Sequence, residues 1–148
     1  LFARNILDEK NGPPPEVNLF NEKNNGETLL KLIDSGFIKS AHDVSLGGII
    51  TAVSKMCIKG NKGINLKMSK NLINEIEYFF AEDQGRYLIE IDQKDQKKVA
   101  DILNKNAVHF DELGTINEDQ LYINDKTKVT IDELKTSNTS WLTNYMSK

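Results

Sequence analysis

Ser40-Ala41-His42-Asp43-Val44-Ser45-Leu46-Gly47-Gly48, residues 40–48, is the stretch around which this chain is organised, and the apolar run 49–57 follows it directly. Within it, residues 42–48 place a histidine, an aspartate, a serine and two glycines close together. The apolar residues of the following run recur at helical spacing, so we expect an amphipathic helix there. A polar loop that leads into a helix is a common way to direct polar groups at a ligand.

Length and composition indicate one compact domain of 148 residues, 39% of them hydrophobic. No apolar run approaches the roughly 18 residues of a membrane span, and residues 1–4 lack the features of a signal peptide, so we expect a cytoplasmic protein with no membrane partner. The net charge of -3 and the pI of 5.4 argue against nucleic-acid binding. The single cysteine, Cys57, is expected to be a small core residue.

The N-terminal region suggests a piece of a longer polypeptide. The chain begins at Leu1 without an initiator methionine, so its function is expected to belong to a larger whole. Residues 1–16 are polar and contain Gly12-Pro13-Pro14-Pro15, and the prolines hold the backbone extended. We therefore predict a linker at residues 1–16 and a domain at residues 17–148.

The hydrophobic pattern of the domain alternates between helical and strand periodicity. The predicted helices are residues 17–37, 49–57, 72–80, 93–104 and a last helix from residue 131. The predicted strands are a short segment after Gly36 and residues 64–68, 87–91, 108–110, 113–116, 121–123 and 128–131. This order predicts the α/β (α+β) class, with a layered sandwich and a mixed, partly antiparallel sheet covered by helices.

Local signals refine these boundaries. Asn25-Gly26 is a point where the first helix could break, since glycine costs about 1 kcal/mol there relative to alanine. Asp92 is predicted to cap its helix, and Thr130 with Glu133 has capping-box spacing. Ser35-Gly36 is predicted to end the first helix in a left-handed turn, and residues 124–127 to form a hairpin turn. Trp141, Leu142 and Tyr145 are predicted to dock as an apolar edge.

The start of the helix after Gly47 and Gly48 is a candidate anion site. Backbone N–H groups at a helix start, together with the helix dipole, favour a phosphate or a carboxylate, and glycine permits its close approach. The alternative is simple turn chemistry, because the string matches neither the Walker A nor the dinucleotide-binding pattern. Ser45 lies within the same loop.

His42 and Asp43 are a candidate pair for proton transfer or ligand orientation. The alternative is a structural histidine bonded to backbone, because adjacent residues on an extended segment point to opposite sides. His109 lies in a strand-like stretch and is predicted to be structural.

A second polar loop contains Glu82, Asp83, Gln84 and Arg86 between a predicted helix and a predicted strand. Loops held by rigid elements often carry binding groups, and arginine is rare in this chain, occurring only at Arg4 and Arg86. The alternative is a solvated connection with a weak surface pair between the guanidinium and a carboxylate.

Three motifs in order resemble a known family: residues 40–48, residues 79–86 (Phe-Phe-Ala-Glu-Asp-Gln-Gly-Arg) and residues 141–146 (Trp-Leu-Thr-Asn-Tyr-Met). Together they are similar to the last domain of the phosphoribosylformylglycinamidine synthases. That domain belongs to the aminoimidazole ribonucleotide synthetase-related superfamily, and the resemblance covers nearly the whole chain.

The resemblance implies an ATP-dependent amidation in purine biosynthesis, carried out by the complete enzyme with ATP, Mg²⁺ and ammonia from a glutaminase partner. This chain would be inactive alone and would hold neither ATP nor Mg²⁺ by itself, and no catalytic residue or metal ligand is carried over to it. It would form one wall of a cleft with the preceding domains of the same polypeptide. The candidate substrate- or phosphate-binding residues are His42, Asp43, Ser45, Gly47, Gly48, Glu82, Asp83, Gln84 and Arg86.

Two alternatives remain open at this point. The chain could be a packing or assembly module of the same enzyme without a role in catalysis, and a homodimer formed through it is one such use. It could also be the corresponding domain of another superfamily member, such as selenophosphate synthetase or thiamine monophosphate kinase.

Overall fold

The computed structural model of the chain describes residues 1–10, 12–67 and 74–147. Its helices are α1 (Phe2–Ile6), α2 (Leu19–Asp34), α3 (Gly48–Gly60), α4 (Glu75–Phe80), α5 (Gln96–Lys105) and α6 (Ile131–Met146). Its strands are β1 (Ile38–Asp43), β2 (Gly63–Leu66), β3 (Tyr87–Ile91), β4 (Gly114–Asn117), β5 (Gln120–Ile123) and β6 (Thr127–Thr130). The chain divides into two compact units, which are described separately. The first is Leu1–Ala52 with Ile76–Asp111, and the second is Val53–Glu75 with Glu112–Lys148.

The first unit is built on an antiparallel pair of strands, β1 and β3, in which Asp43 lies opposite Tyr87. Its core is formed where α2 and α5 contribute Leu32, Val99 and Leu103, all buried. Partly buried apolar residues pack against this cluster, namely Phe37, Ile38, Ile89, Ile91, Ile102 and Val108. The two helices therefore support the strand pair that carries the candidate loops.

Helix α2 runs without interruption through Gly26, so the break considered at Asn25-Gly26 does not occur. The Asn24 and Asn25 side chains donate to the backbone carbonyls of Asn106 and Gly85, at 2.7 and 3.0 Å. Each such bond contributes about 1 kcal/mol, which is enough to offset the helix-forming cost of one glycine. As predicted, the helix ends before Gly36, which has a φ of +74°.

Asp92 is the N-cap residue of the helical turn that begins at Gln93, as predicted, but its side chain makes no capping hydrogen bond. The carboxylate instead lies 2.6 Å from Lys39 Nζ and 3.6 Å from Lys94 Nζ. Lys39 is the main reason that the pKa of Asp92 lies below its usual value. The chain then forms one turn of 3-10 helix, Gln93–Asp95, before α5 begins. The Asp92 carboxylate thus pairs with two lysines and does not form the capping hydrogen bond that the sequence pattern predicted.

The predicted strand at residues 108–110 is wrong, because these described residues have no strand partner. Val108 N–H donates to the Leu103 carbonyl at 2.9 Å, and Ala107 adopts a φ of +53°. The segment therefore ends α5 in the manner of a helix C-cap. Its apolar residue Val108 packs on the core of the first unit instead of entering a sheet.

The second unit contains a mixed four-stranded sheet in the order β4-β2-β5-β6. Strands β2 and β5 are parallel, and the other neighbouring pairs are antiparallel. The predicted α/β class with a mixed, partly antiparallel sheet is therefore confirmed. The hairpin between β5 and β6 is also confirmed, and its turn places Asn124 and Asp125 at positive φ.

Helix α6 begins at the predicted capping box. The Thr130 hydroxyl accepts from the Glu133 N–H at 3.2 Å, and the Glu133 carboxylate accepts from the Thr130 N–H at 2.8 Å. The predicted docking of its apolar residues is not observed, because Trp141, Leu142 and Tyr145 are 63, 53 and 68% exposed. The Trp141 and Tyr145 rings contact each other, with 6.1 Å between centroids.

Cys57 is buried as predicted, and burial raises the pKa of its thiol to about 11. The predicted strand at 64–68 and the predicted helix at 72–80 are found as β2 and α4, and their residues Met68, Leu72 and Ile73 lie outside the described residues. Among the described residues, no helix has the length and hydropathy needed to cross a bilayer. The division into a linker at 1–16 and a domain at 17–148 stays a prediction; α1 forms within the first of these segments.

Candidate functional site

The two polar loops predicted from sequence lie side by side in the first unit. Strand β1 ends at Asp43 where β3 begins at Tyr87, so both loops leave the same end of the strand pair. One step further, the Val44 N–H donates to the Arg86 carbonyl at 2.9 Å. Residues 40–48 and 81–86 therefore form one continuous element, which we call the loop pair.

The glycine turn of the loop pair is held by backbone contacts. Gly47 and Gly48 have φ values of +86° and +69°, which favour glycine, and the Gly48 N–H donates to the Ser45 carbonyl at 2.9 Å. A Cβ atom on Gly48 would lie 2.6 Å from the Phe79 carbonyl oxygen and 2.8 Å from Phe80 Cα. The start of α3 is therefore in close contact with the end of α4, where no side chain fits.

Glu82 joins the two loops through its side chain. Its Oε1 accepts the Gly47 N–H at 2.7 Å, and this bond is the main reason that the pKa of Glu82 lies below its usual value. The Gly47 N–H, which the sequence made a candidate donor to a bound phosphate or carboxylate, thus already donates to a carboxylate of the chain.

His42 lies within β1 and contacts its neighbour. Its Nδ1 is 2.6 Å from the Asp43 carbonyl oxygen and 3.3 Å from Asp43 Oδ1. A carbonyl only accepts, so Nδ1 carries the proton in this contact. The geometry is that of a histidine bonded to backbone, while the Asp43 carboxylate is 65% exposed.

Arg86 braces its own loop. Its Nη1 lies 3.3 Å from Asp83 Oδ2 and 3.5 Å from the Ala81 carbonyl oxygen. The guanidinium is 28% exposed, the Asp83 carboxylate is 54% exposed, and Gln84 is exposed. The loop can therefore present a partly neutralised cation, a carboxylate and an amide to a ligand.

Asn25 is a supporting residue that the sequence did not reveal. Its Nδ2 donates to the Gly85 carbonyl at 3.0 Å, although the two residues are 60 positions apart. Gly85 has a φ of +67°, and a Cβ there would lie 3.3 Å from Glu22 Cα. Helix α2 therefore supports the loop at residues 81–86 through Asn25 and Glu22. No sequence motif or spacing could have indicated this contact.

The candidate residues differ in how far they reach solvent. Gly47 and Gly48 are buried and serve the turn, His42, Glu82 and Arg86 are partly buried, and Asp43, Ser45, Asp83 and Gln84 are exposed. His109 lies elsewhere, 91% exposed and 3.7 Å from Asp111 Oδ2. Exposed carboxylates, an amide, a hydroxyl and a guanidinium suit ligand binding by hydrogen bonds and charge.

A metal centre is not indicated by the described part of the chain, in which no three His, Cys, Asp or Glu side chains form a group able to hold an ion.

Comparison with known proteins gives the family. The family model described as AIR synthase related protein, C-terminal domain, matches residues 1–126. Phosphoribosylformylglycinamidine synthase subunit PurL of Pelagibacter ubique is 71% identical over 146 residues, which are 99% of this chain and 20% of that relative. The chain thus spans a fifth of the length of the curated relatives it matches.

Solved structures show the same fold. Thermotoga maritima PurL complexed with FGAR matches with a TM-score of 0.70 and 23% identity, over 80% of this chain and 21% of that one. Thermotoga maritima PurL complexed with ATP matches with a TM-score of 0.66 and 22% identity, over 76% of this chain and 21% of that one. The fold and the match of the family model agree, and this chain belongs to the AIR synthase related protein C-terminal domain family.

Proposed function

We propose that the chain is the C-terminal domain of a phosphoribosylformylglycinamidine synthase that amidates formylglycinamide ribonucleotide with ATP in purine biosynthesis. The observation that carries this proposal is the 71% identity to PurL of Pelagibacter ubique over 146 residues. Because the chain spans 20% of that relative, the activity belongs to a complete polypeptide and the domain alone is inactive.

In the proposed reaction, ATP with Mg²⁺ would activate the oxygen of the glycinamide carbonyl, and ammonia from a glutaminase partner would add at that carbonyl carbon. Phosphate leaves with that oxygen, so the amide becomes an amidine. The resemblance assigns the Mg²⁺ ligands and the main catalytic residues mostly to the preceding domains, and we assign no metal ligand to this chain. A cytoplasmic location is part of the proposal.

The role proposed for this chain is to form one wall of the cleft that it shares with the preceding domains of the complete polypeptide. Its loop pair provides the exposed Asp43, Ser45, Asp83 and Gln84 and the partly exposed Arg86 guanidinium. A guanidinium can bind the phosphate or a carbonyl group of a nucleotide, and the amide and hydroxyl can bind its ribose.

The test uses the complete synthetase that carries this chain, supplied with ammonia so that the glutaminase is not needed. The wild-type protein is expected to form the amidine product and ADP from formylglycinamide ribonucleotide. Asp43→Ala and Arg86→Ala are expected to raise the KM for the ribonucleotide about tenfold, the effect of one lost charged hydrogen bond. The control His109→Ala changes an exposed side chain outside the loop pair.

Two results would contradict the proposal at different levels. A folded wild-type synthetase that forms no product contradicts the assigned reaction. Unchanged kinetic constants in both loop variants, with assembly intact, leave the reaction standing but contradict the role of the loop pair as a cleft wall.

A packing or assembly role is the second candidate, and it is supported by the apolar side chains that α2 and the residue before its cap expose. Val17, Leu19, Phe20, Leu30 and Ile33 are 47, 75, 78, 60 and 43% exposed. This role predicts that Phe20→Ser weakens a homodimer of the complete synthetase, as measured by sedimentation. The identity to PurL favours both candidates over a domain of selenophosphate synthetase or thiamine monophosphate kinase.

A further inference from the structure

We infer that Glu82 is a positioning residue that fixes the glycine turn of the loop pair and closes the Gly47 amide to anionic ligands. The inference deepens the proposed function and rests on it, because a fixed turn matters to substrate only if the loop pair forms the cleft wall. It assigns a role that differs from direct substrate contact.

The Glu82 bond lies between two backbone contacts that join the same loops. On one side the Val44 N–H donates to the Arg86 carbonyl, and on the other Gly48 lies against the backbone of Phe79. Between them, the 2.7 Å bond from the Gly47 N–H to Glu82 Oε1 is a side-chain link. Loss of this link frees the middle of the loop pair while both ends stay attached.

The same bond decides what the helix start can bind. The Gly47 N–H is already bound to a carboxylate, and the Gly48 N–H is bound to the Ser45 carbonyl. A phosphate that approached these amides would be repelled by the Glu82 charge. It would also find both N–H donors already bound to acceptors. An anionic ligand is therefore directed to the exposed part of the loop pair, where Arg86 provides the positive charge.

Positioning and direct participation make different demands on residue 82. If Glu82 bound a cation or acted as an acid–base group, it would need its negative charge. A positioning residue requires only an oxygen acceptor at the place of Oε1, and glutamine supplies such an oxygen with nearly the same shape. The pair Glu82→Ala and Glu82→Gln therefore separates the two roles.

The experiment compares these two variants in the complete synthetase, with Glu27→Ala as the control. Glu27 is another carboxylate of the first unit, on the surface of α2, where it pairs weakly with Lys23 at 3.8 Å. Hydrogen exchange of the peptide covering residues 44–49 and the KM and kcat for formylglycinamide ribonucleotide are measured for each protein. Inorganic phosphate serves as the probe of anion binding.

Glu82→Ala is expected to speed exchange at residues 44–49 about tenfold and to raise KM more than it lowers kcat. Inorganic phosphate is expected to slow exchange there again in Glu82→Ala and to leave wild type unchanged. Glu82→Gln is expected to stay within about twofold of wild type, and Glu27→Ala to match it.

Two outcomes overturn the inference. If Glu82→Gln loses as much activity as Glu82→Ala, the charge itself is needed and the role is direct. If Glu82→Ala exchanges at the wild-type rate, the link does not hold the turn. The exchange measurement requires no turnover, so a wild-type synthetase without the assigned activity would refute the proposed function and still leave the positioning role to be decided.

Discussion

The two loops of the loop pair differ in what determines their conformation. The turn at residues 45–48 takes its shape from backbone geometry, since Gly48 has a φ of +69° and its Cβ position is filled by backbone atoms. One side-chain bond, from the Gly47 N–H to Glu82, holds this turn against the second loop. The loop at residues 81–86 is held by side chains, among them Glu82 and the Asn25 that binds it from α2. The turn at residues 45–48 is disrupted when a Cβ atom is added at Gly48. The loop at residues 81–86 is loosened when a side chain that holds it, such as Asn25, is removed.

This difference indicates how each loop can change. A turn fixed by backbone packing is either formed or broken, because the contacting atoms cannot move independently. A loop fixed by separate hydrogen bonds can be loosened one bond at a time, at a cost of about 1 kcal/mol each. While the bond from the Gly47 N–H to Glu82 is intact, we therefore expect ligand-dependent adjustment to be confined to residues 81–86.

The largest effect is expected from adding a methyl group to the first loop. Gly48→Ala combines the cost of a positive φ, about 1–2 kcal/mol, with overpacking against the Phe79 and Phe80 backbone, about 1–3 kcal/mol. We expect the free energy of unfolding of the chain to fall by about 3 kcal/mol. Urea unfolding followed by circular dichroism measures this loss.

Gly36→Ala is the matched control for this variant. Gly36 has a φ of +74°, close to that of Gly48, but a Cβ there would have no atom within 4 Å. It is expected to cost about 1–2 kcal/mol from the backbone alone. Equal losses in the two variants would show that the contact with α4 does not constrain the turn.

Several features of this comparison could be predicted from sequence because their signals are local. Gly36 ends α2, the glycine pair precedes α3, and Thr130 with Glu133 forms the capping box, each within a few residues of its partner. Backbone conformation and helix capping depend on neighbours in the chain, so residue type and spacing are sufficient.

The contacts that hold the second loop could not be predicted, because they join residues far apart. Glu82 and Gly47 are 35 positions apart, and Asn25 and Gly85 are 60 positions apart. The missing capping bond at Asp92 has the same physical origin, since Lys39 on β1 competes for the carboxylate that would have capped the helix. Sequence identified the polar residues of the loop pair but not which of them are exposed to solvent.

The next effect concerns the support of the second loop from α2. Asn25→Ala removes the donor to the Gly85 carbonyl and is expected to cost about 1 kcal/mol. Asn24→Ala removes a similar bond, to the Asn106 carbonyl at 2.7 Å, and is the control. Both are expected to lower stability alike, but only Asn25→Ala should speed hydrogen exchange at residues 82–86. Equal exchange in that segment would contradict a specific role of Asn25.

A smaller effect is expected in the pH dependence of stability. The folded-state pKa of Glu82 is lowered below 4.5, mainly by the Gly47 N–H. The stabilisation by its charged form is therefore fully present above the unfolded-state pKa, and it is lost as pH falls through the folded-state pKa. Wild type is expected to exceed Glu82→Gln in urea midpoint at neutral pH, and the difference should shrink as pH falls below the unfolded-state pKa of glutamate, about 4.3.

Glu133 provides the comparison from the second unit. Its pKa is lowered mainly by the Thr130 N–H, so Glu133→Gln should show a pH dependence of the same sign. Glu133 is exposed, and solvent screens its charge, so the amplitude should be smaller than for Glu82. A larger amplitude at Glu133 would show that burial does not strengthen the Glu82 bond.

The smallest effect is expected at the surface pair of the second loop. Asp83→Asn removes the charge that lies 3.3 Å from Arg86 Nη1, where the carboxylate is 54% exposed. An exposed pair contributes about 0.5 kcal/mol or less, so the urea midpoint should shift no more than in Glu27→Gln, which breaks another exposed pair. Because stability barely changes, any rise in KM that Asp83→Asn causes in the complete synthetase would report ligand contact. A loss of stability above about 1 kcal/mol would instead show that the Asp83–Arg86 pair stabilises the loop, as the Asn25 hydrogen bond does.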